Sequence, residues 1–183
     1  VSSQLRQIAG QLGTTSSISS NLRALVSSSE QLPLELKQTL ISKLSCEFHE
    51  CYGTSEIGIV SSLDIKDSQK IASVGKAIDG VDIKILDDNQ NMVQTNNIGE
   101  IACKTDMLFS GYLNMPETTK RSISDGYFLT GDLGYLDDNG YLYFKGRKKD
   151  LIISGGINIY PKDIEDVILD IDVIKEVAVV SKN

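Results

Sequence analysis

Over residues 1–70 the apolar positions alternate between helical spacing and short unbroken runs. Leu5, Ile8, Ala9 and Leu12 recur at helical intervals, and the "GTTSSISS" that follows (13–20) reads as a polar loop. "LRALVS" (22–27) is a candidate buried strand. Pro33 suits a helix N-terminus, where its fixed φ fits and its missing N–H is not needed. Leu36, Leu40, Ile41 and Leu44 then make one apolar stripe. A short strand around Phe48 follows, so this part predicts alternating α/β structure.

From about Gly75 the period changes to two. "VDIKIL" (81–86) alternates apolar and polar residues and ends in the turn-forming "DDNQN"; "IGEIAC", "GYFLT", "GYL" and "YLYFKG" continue the pattern. Short strands separated by Gly, Asp and Asn predict a small, mostly antiparallel sheet or barrel, with a helical turn or two near "PETTKRSI" (116–123). After Gly155 the style changes again. Pro161 opens a helix with Ile164, Val167, Ile168 and Ile171 on one face, and "VAVV" (177–180) reads as a buried strand. The fold class expected is α/β: a partial α/β layer (1–70), a small mostly antiparallel β-barrel (71–148), and the start of an α+β C-terminal domain (149–183).

Composition narrows the function. With 183 residues, 40% hydrophobic and 23% charged, the chain can bury a core. Its net charge of −7 and the lack of any basic run longer than Arg147–Lys149 argue against a nucleic-acid or anionic-membrane surface, so an anionic ligand must be held locally. No segment reads as a membrane span or signal peptide, and Val1 in place of Met suggests a start inside a longer chain. Cys46, Cys51 and Cys103 follow no disulfide spacing and fit reduced thiols in a cytoplasmic protein. Cys46, His49 and Cys51 make a C-x2-H-x-C. A closed zinc site wants four ligands and this is the only His, so buried thiols are the better reading.

Two clusters carry candidate chemistry. "CYGTSEIG" (51–58) offers hydroxyls at Thr54 and Ser55 and a carboxylate at Glu56; it can hold a phosphate and a hard cation, or be an ordinary loop. In "GYFLTGDLGYLDDNGYLYFKGR" (126–147), Asn139-Gly140 is a hairpin signal that sets Asp132 opposite Arg147 if those two residues are the turn. A three-residue turn with Gly140 in a left-handed bulge slips the register by one and leaves them neighbours. The pair reads either as a cross-strand ion pair, worth well under about 1 kcal/mol if exposed, or as a carboxylate and guanidinium for ribose hydroxyls and phosphate.

Taken in order, "YGTSE", "GEIACKTDMLFSGYLN", "GYFLTGDLGYLDDNGYLYFKGR" and "GRKKDLIISGGINIYPKDIE" resemble the adenylate-forming (AMP-binding) superfamily, from about Leu22 to the end. "KKDLIISGGINIYPKDIE" is most similar to its acyl-CoA and aryl-CoA ligases. The resemblance implies that Tyr52 stacks on adenine, Thr54 bonds the α-phosphate and Glu56 helps hold Mg2+. Asp132 would take the ribose hydroxyls and Arg147 the ribose and phosphate region. Ser29, Glu30 and Gly53 join the nucleotide-binding set, with Gly53 and Ile57 bordering the carboxylate substrate. Lys149 falls at an interdomain hinge, and Gly155 in a loop that swings to the site for the second half-reaction. The implied substrates are ATP, a carboxylic acid and CoA. A carrier protein is the alternative acceptor, and an inactive binding domain of the same fold is a third reading.

The chain departs from the family pattern in three places. It lacks the "TSGTTG-x-P-K-G" type phosphate loop, which "GTTSSISS" does not replace, and neither Lys175 nor Lys182 matches the late lysine that supports adenylation. In "SSSEQLP" (27–33), Ser28 and Ser29 stand where the family usually has glycine, which lets the backbone approach adenine. Residues 1–183 alone are therefore expected not to form an acyl-adenylate. ATP–pyrophosphate exchange on the isolated chain checks this, and robust exchange overturns it.

Overall fold

In a computed structural model, residues 2–11, 21–65, 68–169, 171, 173, 174 and 176–182 are described; the loop expected at 13–20, with Leu12 and Lys175, lies outside them. Helix α1 (Ser2–Gln11) buries Leu5 and Ala9 against helix α2 (Leu34–Lys43), whose Leu36 and Leu40 lie one turn apart on the same face. Pro33 stands at the N-cap of α2; Glu35 in its first turn and Lys43 in its last each sit where the helix dipole favours their charge. Beneath the helices lies a sheet of strands β1 (Ala24–Ser27), β2 (Glu47–Thr54), β3 (Gly58–Asp64) and β4 (Lys76–Ala77), in that order. β1 and β2 run parallel and the other pairs antiparallel. Phe48 of β2 and Leu63 of β3 complete the apolar core under α1 and α2.

The expectation of a buried first strand needs correction. Among the described residues β1 pairs with β2 alone, and Val26 is 59% exposed and Leu22, just before the strand, 44%. An apolar run shows that a strand can be buried; it does not supply the second neighbour that would bury it.

A second, antiparallel sheet follows in the order β5 (Val81–Leu86), β6 (Gly99–Thr105), β8 (Tyr127–Leu136). Both β7 (Ile123–Ser124) and β9 (Leu142–Arg147) pair with the far edge of β8, at opposite ends. Helix α3 (Pro116–Arg121) supplies the expected helical turns. Ile57, in the β2–β3 turn, and Val60 of β3 share a core with Ile85, Ile101, Phe128 and Leu142, so the two sheets are joined through apolar contact.

The β8–β9 hairpin takes the longer of the two expected turns. Asp137 N–H donates to Tyr141 O at 3.0 Å and Gly140 has φ +76°, which gives a three-residue loop closing on a left-handed glycine. That turn pairs Leu136 with Leu142 and Tyr135 with Tyr143, whose rings stack 4.7 Å apart. A bulge between Leu133 and Gly134 then slips the register back, and Asp132 still ends opposite Arg147.

Beyond Arg147 a 3-10 turn (Lys148–Asp150) leads to the hairpin of β10 (Ile152–Ser154) and β11 (Ile157–Ile159), and then to α4 (Pro161–Leu169). None of the described residues after Leu142 belongs to the buried apolar core. Helix α4 is tied to β9 by the Lys145–Asp163 ion pair at 2.9 Å, and Val167 on it is 68% exposed; the helix ends at Leu169, so Ile171, expected on its face, lies beyond it and is 51% exposed. The buried strand expected at 177–180 does not form. Val180 is 79% exposed, and Val179 N–H donates to the Glu165 carboxylate at 2.8 Å instead of to a neighbouring strand.

Asp137 organises the hairpin turn. Its carboxylate accepts from Asn139 N–H and Tyr141 N–H, both at 2.9 Å, and from Lys70 Nζ at 2.6 Å. Burial pushes the carboxyl up, but the Lys70 ammonium and the two backbone donors outweigh it and hold it below the free value of 3.8. A depressed carboxyl contributes its full stability above the unfolded value and loses it as pH falls through the folded one. Asp137→Ala is therefore expected to cost about 1–3 kcal/mol at neutral pH, the difference from the parent shrinking below pH 3.8. Thermal melts across the acid range check both parts.

Candidate functional site

The end of β2 meets the β8–β9 pair at a buried carboxylate. Tyr52 on β2 donates its phenol to Asp132 Oδ2 at 2.8 Å. Arg147, facing Asp132 across the ladder, brings Nε to 3.6 Å from Oδ1. Asp132 is only 6% exposed, whereas the Arg147 side chain is 62% exposed and can lean toward a ligand. Burial pushes the Asp132 carboxyl above its usual range, with Glu100 and Glu56 adding to the push and with Tyr52 and Arg147 opposing it. Such a carboxylate is short of donors, and two adjacent hydroxyls would supply them. Burial and the Asp132 charge raise the Tyr52 phenol, so it stays a donor.

A cleft of about 400 Å³ opens over this group, lined by Ser29, Glu30, Tyr52, Gly53, Asp132 and Arg147 among others. The ring of Phe144 stands behind Tyr52, with centroids 6.1 Å apart. Lys162, Glu165 and Asp166 of α4 also line the cleft. Gly53 is required by close approach: the β2–β3 register shifts between Tyr52 and Gly53, and a Cβ at Gly53 would lie 2.1 Å from Gly58 O. Ser29 takes φ +83°, in the left-handed region that costs a non-glycine residue about 1–2 kcal/mol. The serine that stands in a glycine position of the resembled family thus adopts the backbone a glycine would take freely.

The other expected site residues are not part of the cleft lining. Thr54 ends β2, and its Oγ1 accepts from Glu56 N–H at 3.3 Å in the turn before β3. Tyr112 donates its phenol to Glu56 Oε1 at 2.9 Å, and Phe109 N–H donates to Glu56 O at 2.7 Å. Burial pushes the Glu56 carboxyl up, but the hydrogen bonds from Thr54 and Tyr112 and the Arg147 charge outweigh it and hold it below 4.5. Glu56 is therefore charged at neutral pH. Among the described residues no group of three or more His, Cys, Asp or Glu side chains could hold a metal by itself. A cation at Glu56 would need ligands from a bound phosphate. Ile57 is fully buried in the core of the second sheet. Lys149 is exposed in the 3-10 turn, beside a second hollow that also touches Arg147. Gly155 and Gly156, at φ +58° and +81°, form the tip of the β10–β11 hairpin.

Tyr112 is the residue that sequence reasoning passed over. It sits inside the quoted "FSGYLN" and is 56 positions from Glu56, so no local periodicity marks the contact. Removing its phenol in Tyr112→Phe is expected to move the Glu56 carboxyl titration upward toward 4.5. Carbon-detected NMR titration of that carboxyl checks the shift, and an unchanged titration would show that Tyr112 does not tune it.

Residues 1–113 match the family model described as AMP-binding enzyme. The long-chain-fatty-acid–CoA ligase FadD13 of Mycobacterium tuberculosis is 43% identical over 112 residues, or 61% of this chain and 22% of that protein. A long-chain-fatty-acid–CoA ligase of Bacillus subtilis is 35% identical over 162 residues, or 87% of this chain and 29% of that protein. The structure of o-succinylbenzoate CoA synthetase from Bacillus subtilis, in complex with its acyl-adenylate intermediate, superimposes with a TM-score of 0.91 at 30% identity, over all of this chain and 37% of that one. The chain thus spans about a quarter of the curated relatives' length. With a family model matched over most of its length and the fold of an adenylate-forming enzyme, the chain belongs to the AMP-binding enzyme family.

Proposed function

We propose that this chain is the nucleotide-holding part of an ATP-dependent acyl- or aryl-CoA ligase, which activates a carboxylic acid as acyl-AMP and passes the acyl group to CoA. The observation that carries the reading is the convergence of Tyr52, Asp132 and Arg147 on one cleft. Asp132, short of donors, accepts the two ribose hydroxyls; Tyr52 offers its ring to adenine; Arg147 reaches the ribose and phosphate. Thr54 bonds the α-phosphate, and Glu56, held ionised, is the protein ligand for Mg2+. When bound, Mg2+ offsets charge on the phosphates.

The chemistry follows from the poor leaving group of a carboxylate. The acid's oxygen attacks the α-phosphorus and pyrophosphate leaves. The CoA thiolate then attacks the acyl carbon and AMP leaves with the bonding pair, giving a thioester. Arg147 and Thr54 stabilise charge at the phosphorus in the first step. The two steps need different groups at one place, so a rotation about Lys149 is the natural way to exchange them. The domain limits near 70 and 149 belong to this proposal. The reading extends to a fatty or aryl acid as substrate and, from the three buried free thiols, to a cytoplasmic setting.

AMP titration of this chain by calorimetry or NMR tests the nucleotide site. Asp132→Ala and Arg147→Ala are each expected to weaken binding about tenfold or more, roughly 1.4 kcal/mol. Affinity unchanged in both variants overturns the assignment. In the complete protein, acid-dependent ATP–pyrophosphate exchange with thioester formation on free CoA is expected. Loading of a carrier phosphopantetheine in place of CoA would reassign the acceptor, and silence with every acid would leave a binding domain.

A further inference from the structure

Below the cleft lies an ion pair that the chemistry above does not use. Lys37 of α2 and Glu50 of β2 join through Nζ and Oε2, and both side chains are 1% exposed. The remaining capacity of each group is aimed. Lys37 Nζ also donates to Ile71 O at 2.7 Å and Ser73 O at 3.4 Å, while Glu50 Oε1 accepts from Leu32 N–H at 2.8 Å. Gln31 adds a bond from Nε2 to Ala72 O at 3.4 Å. Desolvating two ions offsets most of their attraction, so such a pair is a poor source of stability. What it supplies is direction: it fixes the segment 28–32 and the segment 71–73 relative to β2.

Both segments bear on the cleft. Leu32 closes the loop in which Ser29, Glu30 and Gln31 line the cavity and Ser29 holds its strained backbone. On the other side, Val74 N–H donates to Leu142 O and Leu142 N–H to Gly75 O, both at 2.8 Å, which joins 71–75 to the start of the strand carrying Arg147. If Asp132 takes the ribose and the phosphates lie toward Thr54 and Glu56, the base falls at the end of the cleft formed by Ser29, Glu30 and Gln31, over Glu50.

We propose that Lys37 and Glu50 are a positioning pair that holds the 28–32 loop in the shape that receives the purine of the nucleotide. The inference rests on the nucleotide reading above and is separable from it. AMP and ribose 5-phosphate are titrated by NMR against this chain and two variants, Glu50→Gln and the apolar double variant Lys37→Met with Glu50→Leu. Glu50→Gln is expected to bind AMP about tenfold more weakly and ribose 5-phosphate as the parent does. The double variant is expected to melt at or above the parent temperature, since apolar replacement of a buried pair is neutral or stabilising, and still to bind AMP weakly. A merely structural pair would give back AMP affinity together with stability; that result, equal weakening of both ligands, or unchanged AMP affinity in Glu50→Gln overturns the proposal. If the unaltered chain binds neither ligand, the nucleotide reading fails, and amide exchange decides the positioning role. Faster exchange across 28–32 in a double variant of undiminished melting temperature supports it; unchanged exchange overturns it.

Discussion

The hydrogen bond from Tyr52 to Asp132 joins two sheets that are built on different principles. Tyr52 lies near the end of a strand whose sheet carries helices on one face; Asp132 lies in an antiparallel sheet closed by hairpins. Irregularities flank the bond: the β2–β3 register shifts between Tyr52 and Gly53, with Val60 of β3 the extra residue, and Thr130, Gly131 and Asp132 of β8 stand against Ile101 alone of β6. Irregularities beside a site re-aim side chains at the price of a few ladder bonds. Here they bring a phenol, a carboxylate and a guanidinium to one wall of the cleft.

Three acidic groups near the cleft are handled differently, although the chain as a whole carries −7. Glu50 and Asp132 are buried enough that desolvation prevails and raises their carboxyls, despite Lys37 at one and Tyr52 and Arg147 at the other. Glu56, better supplied with donors by Thr54 and Tyr112, is lowered. For Asp132 and Glu56 the difference matches the roles proposed. A group that waits for ligand hydroxyls is left wanting donors, and a group that must stay charged for a cation receives them before any ligand arrives.

What the sequence made legible follows from range. Pro33 and the Leu36–Leu40 spacing mark α2 correctly because a helix is a local object. Asn139-Gly140 marks the hairpin, but the facing of Asp132 and Arg147 depends also on the bulge between Leu133 and Gly134, which nothing in the pattern marks. The strand around Phe48 is longer than its pattern shows, running on to Thr54 through residues that resemble a loop. Exposure of β1 and the missing strand at 177–180 were illegible for another reason. Apolarity describes what a segment tolerates, while burial depends on how many neighbours it meets. Tyr112 against Glu56 and Lys37 against Glu50 are tertiary contacts between polar residues, and neither a period nor a motif announces them.

The β8–β9 hairpin carries two one-residue departures of opposite sense, the glycine bulge at the turn and the bulge between Leu133 and Gly134. Together they act as a parity check on the length of the segment between Asp132 and Arg147. Because side chains alternate faces with period two, gaining or losing one residue there turns the guanidinium to the other side of the sheet unless a second change restores the count. Length variation in this hairpin should therefore accumulate in compensated pairs, and a lineage that holds an odd change has given up the Asp132–Arg147 encounter.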